Sequence, residues 1–283
     1  VERYKIIKII NNNIICSVDE KGHELILRGK GIGFGCRRGE WIKKDKVEMV
    51  YRMEDAGATN KLQELLSTIP PLYLDVSTEI ITLAESTLNR RLNENIYLTL
   101  TDHIHFAIYR KKENMEYKNA LLWEIKHFYP AEYQLGLRAL SIIKENLGET
   151  LSTDEAGFIA LHIVNAELDT KMDNMVQITQ IISSVLSIVK DYYEIELDEN
   201  SLDYERFITH LKFFGQRLFH KGTSAKDDPA LFHMLKEQYF TDFHCAEQIR
   251  DYIRDTFRRE VSDSEMIFLT IHLHRVTAQR IDS

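Results

Sequence analysis

The chain repeats itself. Residues 129–163, YPAEYQLGLRALSIIKENLGETLSTDEAGFIALHI, lie without a gap on residues 239–273, YFTDFHCAEQIRDYIRDTFRREVSDSEMIFLTIHL, at a shift of 110. In each copy a Ser-x-x-Glu (Ser152 with Glu155, Ser262 with Glu265) precedes an apolar run, which is the capping-box signature of a helix start. His162 then falls on His272, in the third turn of the expected helix. At a shift of 107, HIHFAIYR falls on HLKFFGQR, which brings His103 onto His210 and Arg110 onto Arg217. Upstream, NKLQELLSTIPP stops at Pro70 and Pro71, and Val76, Ile80, Leu83, Ala84 and Leu88 recur at the three- and four-residue steps of one buried helical face. Two helical domains of one design therefore follow each other, with a polar joint near residues 169–174.

The first 55 residues have a different period. Alternating and β-branched runs predict strands over 4–10, 14–19, 23–28 and 46–51, with turns at 11–13 and 20–22, hence a four-stranded antiparallel sheet. So small a sheet has a marginal core and is expected to gain stability by pairing with a second copy. Its first turn is three asparagines, Asn11, Asn12 and Asn13. Asparagine suits tight turns, and its amide also reads nucleobase edges, so both readings stand at this point. Before the fourth strand comes RGKGIGFGCRRGEW, with Gly29, Gly31, Gly33 and Gly35 at two-residue spacing. Neither G-x-G-x-x-G nor a P-loop is present. Extended glycines so spaced share one face and leave bare backbone, while Lys30, Phe34, Arg37 and Arg38 offer phosphate contacts and a ring for stacking on an unpaired base. A bulged, solvated loop fits those residues equally well.

Charge supports a split between head and body. Of 36 Lys+Arg and 44 Asp+Glu, residues 1–55 hold 12 and 9, leaving 24 and 35 for the rest. A basic head thus stands on an acidic body, and the net −8 conceals it. Cys16, Cys36 and Cys245 are too scattered for a disulfide framework or a Cys-x-x-Cys metal site. No apolar run approaches a membrane span or a signal-peptide core, so a cytoplasmic protein without membrane insertion is expected.

Two histidines at matching places in each copy ask for a common role. There is no His-x-x-x-His pair, and the His-x-His pairs at 103/105 and 272/274 point about 200° apart on a helix, which argues against zinc. Neither Ser nor Cys stands in a recognisable nucleophile setting. A neutral imidazole can instead accept a phosphoryl group from a donor protein and so change the local charge, for which exposure rather than a cleft is expected.

KIINNNIICSV, GKGIGFG, LTDHIHFAI, ALHIVNAE, RFITHLKFF and TIHLHRV, taken together and in this order, resemble the bacterial transcriptional antiterminators of the BglG/SacY family over essentially the whole chain. The resemblance implies a multi-domain fold: a small antiparallel β-sheet RNA-binding domain, dimeric, at 1–58, then two homologous all-α helical-bundle regulation domains of the phosphotransferase system at 59–170 and 171–283. It implies RNA contacts at Asn13, Gly29, Lys30 and Phe34, with Lys8 and Asn11 as further candidates. His103, His162, His210 and His272 become the phosphorylation sites. The implied partners are a leader mRNA hairpin, a second copy of the chain, and the phosphocarrier protein and sugar permease as phosphoryl donors; no catalytic residue, cofactor or metal is implied. The family commonly has Arg where Lys30 stands, so the charge is kept and the guanidinium fork is lost. A DNA-binding activator would need a helix-turn-helix head, and a phosphotransfer enzyme would need a sugar pocket; the sequence offers neither.

Overall fold

The computed structural model describes residues 3–18, 22, 24–52, 56–169, 172–219 and 229–277. They belong to two compact units, Val1–Asp169 and Thr170–Ser283.

The first unit opens with strands β1 (Arg3–Lys5), β2 (Lys8–Asn11), β3 (Ile14–Val18), β4 (Glu24–Arg28), β5 (Trp41–Lys43) and β6 (Met49–Arg52). The expected four-stranded antiparallel sheet is there, in the order β2-β3-β4-β6. Its first strand is shorter than expected. Ile6 exchanges backbone hydrogen bonds with Glu40 and Gly39, whereas Ile7 N–H already donates to Cys16. The chain therefore changes sheets at Ile6, and residues 3–5 pair instead with β5, a strand the sequence reading had not placed. The last strand begins at Met49 because Lys44–Lys46 close a 3₁₀ turn. Of the expected turn at 20–22, residues 20 and 21 lie outside the described residues, and Gly22 has φ 85°.

Period-two alternation sorts the sheet's side chains. Ile14, Cys16, Ile26 and Tyr51 face one side, where Leu62 and Leu66 of helix α1 (Ala56–Thr68) and Leu74 of α2 (Leu72–Leu88) cover them. Ile15, Leu25 and Leu27 face the other, closed by Ile6, Ile32 and Ile42. Both faces are thus covered from within the chain. A bare core face consequently supplies no argument for a second copy.

The helical part of the first unit continues with α3 (Ile96–Lys112), α4 (Leu122–Phe128), α5 (Pro130–Leu147) and α6 (Thr153–Leu168). Val76, Ile80 and Ala84 of α2 enter its core as their spacing predicts, with Leu83 and Leu88 packed partly against it. The second unit holds α7 (Met172–Tyr193), α8 (Leu202–Phe219), α9 (Pro229–Gln238), α10 (Phe240–Phe257) and α11 (Asp263–Thr277). Its helices reproduce the first unit's burial: a shift of 105 sets Val76, Ile80 and Ala84 on Ile181, Val185 and Val189, all buried. Even the stops agree, since α5 and α10 both end on a left-handed residue, Gly148 and Arg258. Left-handed backbone there costs glycine nothing, and the non-glycine Arg258 adopts it all the same.

The capping boxes are only half realised. Ser262 Oγ accepts from Glu265 N–H at 3.4 Å, but the Ser152 hydroxyl caps nothing, and Glu155 N–H donates to the Ser152 carbonyl at 3.1 Å. Both glutamate side chains are committed elsewhere, to the histidine sites.

Candidate functional sites

Four of the six expected RNA contacts gather at one end of the sheet. Asn13 holds the glycine loop: its carbonyl accepts from Gly29 N–H at 3.0 Å and its side-chain Oδ1 from Gly31 N–H at 2.9 Å. The loop is not extended but a run of tight turns. Gly31 and Gly35 have φ 65° and 69°, conformations that L side chains rarely adopt. Gly29 and Gly33 are close approaches instead, where an added Cβ would stand 2.1 Å from Lys46 O and 2.4 Å from Asn11 O. The two-residue spacing therefore records two alternating backbone demands, not one bare face. Lys30, Arg37 and Arg38 are exposed on this loop, and Phe34 keeps 74% of its surface in solvent.

Lys8 and Asn11 are turned the other way, toward α1. Lys8 Nζ reaches Gln63 Oε1 at 3.4 Å, and Asn11 donates from Nδ2 to Leu66 O at 3.4 Å while its Oδ1 accepts from Asn13 N–H at 2.9 Å. Asn11 thus closes the turn and ties it to a helix. Asn13 keeps its NH₂ group for another partner.

In each helical repeat the two histidines face each other across adjacent helices. His103 on α3 and His162 on α6 have ring centroids 4.8 Å apart; His210 on α8 and His272 on α11 are 3.9 Å apart. An aromatic ring lies beside the first histidine of each pair, Phe158 at 5.9 Å from His103 and Phe268 at 5.0 Å from His210. The matched arginines also meet the matched glutamates. Arg110 Nη2 donates to Glu155 Oε1 at 2.8 Å in a buried pair, and Arg217 grips both oxygens of Glu265 at 2.5 and 2.9 Å. Glu155 and Glu265 are the functional residues that sequence reasoning missed. Their signal was present, but it read as capping.

The expectation of exposure is corrected here. His162 and His272 are buried, the His103 side chain is only 13% exposed, and the first pair lies at the wall of a cavity of about 650 Å³ shared with α1 residues Lys61, Glu64 and Thr68. The reason is helix packing: each pair sits between two adjacent helices, α3 with α6 and α8 with α11, and His210 is left half-buried. Burial disfavours the charged form of His162, His210 and His272. It pushes His162 well below the usual imidazole value, with His103 adding to the effect. Burial, then His210 and Arg275, lower His272 to about 4, and burial with Arg217 and Arg275 lowers His210. Neutral imidazole is the nucleophilic form.

The two sites differ in charge. His103 Nε2 lies 3.0 Å from Glu155 Oε2, in ion-pair range although not aligned as a hydrogen bond, and exposed Asp102 lines the same cavity. Around the second pair the felt neighbours are Arg217 and Arg275; a shift of 110 puts uncharged Asn165 in the first repeat where Arg275 stands in the second. His105 and His274 turn elsewhere, to the Tyr73 ring at 5.2 Å and to Asp242 Oδ2 at 3.0 Å. Among the described residues no set of three or more His, Cys, Asp or Glu side chains could hold a metal ion. Buried Cys16 and Cys245 are pushed up to about 12, which leaves these thiols unreactive.

A CAT RNA-binding domain model matches residues 4–60, and a PRD domain model matches twice, at 78–166 and 183–276. The chain belongs to the BglG/SacY family of transcriptional antiterminators. It is 43% identical to the transcription antiterminator LicT of Bacillus subtilis over 97% of this chain and 99% of that protein. To the beta-glucoside operon antiterminator of Dickeya chrysanthemi it is 39% identical, over 97% of each chain. Among solved structures, the GlcT CAT-PRDI crystal structure matches 58% of this chain and 98% of its own, with TM-score 0.52 and 35% identity. The first unit is thus an antiterminator head with its first PRD, and the second unit is another PRD. Within the described residues no helix is long and apolar enough to cross a membrane.

Proposed function

We propose that the protein is a transcriptional antiterminator: it binds an RNA hairpin in the leader of a sugar-utilisation operon, prevents the overlapping terminator stem from forming, and is switched by histidine phosphorylation from the sugar phosphotransferase system. The observation that carries this reading is the conjunction of one RNA-binding head with two repeats that each bring two histidines face to face. One relative is named a beta-glucoside operon antiterminator, which supports a sugar operon as the target. The head spans 1–58 and the regulation domains 59–170 and 171–283. Asn13, Gly29, Lys30 and Phe34 meet the RNA, and His103, His162, His210 and His272 receive phosphate. The sugar permease acts on the first pair and the phosphocarrier protein on the second, neither being a reaction that this chain catalyses. The active form is a cytoplasmic homodimer whose two heads share one hairpin.

Gel shift of the whole chain decides it, with the leader RNA of the neighbouring sugar operon set against duplex DNA of the same sequence. RNA-selective binding is expected, with log affinity falling as log salt rises by roughly 0.7 to 0.9 for each phosphate neutralised. Preference for the duplex would instead favour a DNA-binding activator.

A further inference from the structure

Arg28 ends β4, immediately before two of the RNA-contact candidates, Gly29 and Lys30. Its guanidinium is already taken. Nε and Nη2 both engage the Asp75 carboxylate, the latter at 2.7 Å, and Nη1 donates to Glu48 Oε2 at 2.6 Å. Asp75 stands in the first turn of α2, on the first regulation domain, and it lines a cavity of about 160 Å³ together with Arg28, Asn13, Gly29 and Lys30. A carboxylate on α2 therefore holds a guanidinium that stands beside the RNA-contact candidates at this end of the sheet. Phosphate is the other natural partner of a guanidinium fork.

We infer that Arg28 is a further RNA-phosphate contact, and that Asp75 competes with RNA for it as an autoinhibitory latch. The inference rests on the antiterminator reading. The repeat supports a dedicated role for Asp75: at the shift of 105 its counterpart is Gln180, exposed and uncharged, on a helix with no described sheet of its own to hold. Exchange is feasible because the Arg28 side chain is 28% exposed, hence reachable from solvent, and a phosphate offers the guanidinium the same two-point partner as the Asp75 carboxylate. Giving Arg28 to a phosphate leaves Asp75 unpaired, so RNA binding loosens α2 from β4. By linkage, whatever draws α2 from the sheet tightens RNA binding by the same factor.

Fluorescence anisotropy of the whole chain with the leader hairpin, titrated at several salt concentrations, tests this. Asp75→Asn is expected to tighten binding roughly 3- to 10-fold at low salt and to steepen the log–log slope by about 0.7 to 0.9, the signature of one more phosphate contact. Adding Arg28→Gln should abolish that gain, so the two substitutions are non-additive. If Asp75→Asn does not fold, Glu48→Gln decides, with a smaller tightening expected. Unchanged or weaker binding by whichever folded variant is read, or a gain that survives Arg28→Gln, overturns the latch. If the unsubstituted chain binds no hairpin, the antiterminator reading falls with it; if it binds and the variants do not respond, the latch alone falls.

Discussion

The 74% exposure of Phe34 makes it a clean probe, because truncating it removes little from the core. Phe34→Ala is expected to cost about 1 to 3 kcal/mol of RNA affinity, the usual worth of a base stacked on a ring, with an unchanged far-ultraviolet spectrum and melting point. Asn13 needs more care, because Oδ1 holds Gly31 N–H. Asn13→Asp keeps that acceptor and removes the NH₂ donor, so weaker binding with an intact fold assigns the loss to RNA contact rather than to the turn. Asn11 is committed to the turn and to α1, while Asn13 serves the loop and keeps a donor. The buried histidines set the acid sensitivity. His272, at about 4 when folded and 6.5 when exposed, binds its proton more readily in the unfolded chain. Its contribution is complete above the unfolded value, and stability falls as pH drops from 6.5 toward 4. His162 acts in the same direction. Denaturation midpoints measured across that range should fall less steeply for His272→Gln than for the parent; parallel curves would mean the ring is not neutral when folded.

Helices were the most legible elements, because a 3.6-residue period over a dozen or more positions leaves little ambiguity and the repeat supplied an independent copy. The short strands were not. The split at Ile6 and the pairing of β1 with β5 depend on Glu40 and Gly39, more than 30 positions away, and no local pattern encodes such a partner. Glu155 shows a second kind of failure: Ser-x-x-Glu is the correct start signal for α6, yet a buried Arg110 wins the carboxylate because leaving a buried guanidinium unpaired costs more than forgoing the carboxylate's return bond to the N-cap N–H. Differences between the copies are also informative. Gly136 of α5 lets α6 approach so closely that an added Cβ would lie 2.1 Å from Ala156 O, whereas the second repeat has Ala246 at that place. Gly136→Ala is therefore expected to destabilise the first unit by about 1 to 3 kcal/mol through overpacking, despite alanine's better helix propensity. Ala246→Gly should cost about 1 kcal/mol, the propensity difference. Equal effects in urea titration would show that the two crossings are alike.

At the scale of the whole molecule, the proposed phosphorylation would act in two different charge settings. A phosphoryl group brings about −1.5 to −2 charge at neutral pH, and the two pairs would receive it differently. At the first pair it meets Glu155 Oε2, 3.0 Å from His103 Nε2, with Asp102 in the same cavity and Glu64 of α1 among its lining. Three carboxylates there, Glu155, Asp102 and Glu64, face Lys61 of α1 and an Arg110 already paired with Glu155, so repulsion is expected on the helix that Lys8 and Asn11 of the head rest on. At the second pair it meets Arg275 and an Arg217 already held by Glu265, and attraction to these two cations can tighten whatever arrangement brings them together. Arg217 and Arg275 are the charges the second pair of rings feels. Replacing His210 and His272 with Asp is expected to strengthen the dimer and raise antitermination in cells lacking phosphocarrier protein. Asp at His103 or His162 should lower both, and by less than phosphate does, since one carboxylate carries about half the charge. A reporter behind the leader terminator reads the first quantity, and sedimentation of the purified variants reads the second. Should both pairs move dimer strength and antitermination the same way, local charge does not set the sign of the response, and the antagonism of the two domains must be sought in how they dock on their partners.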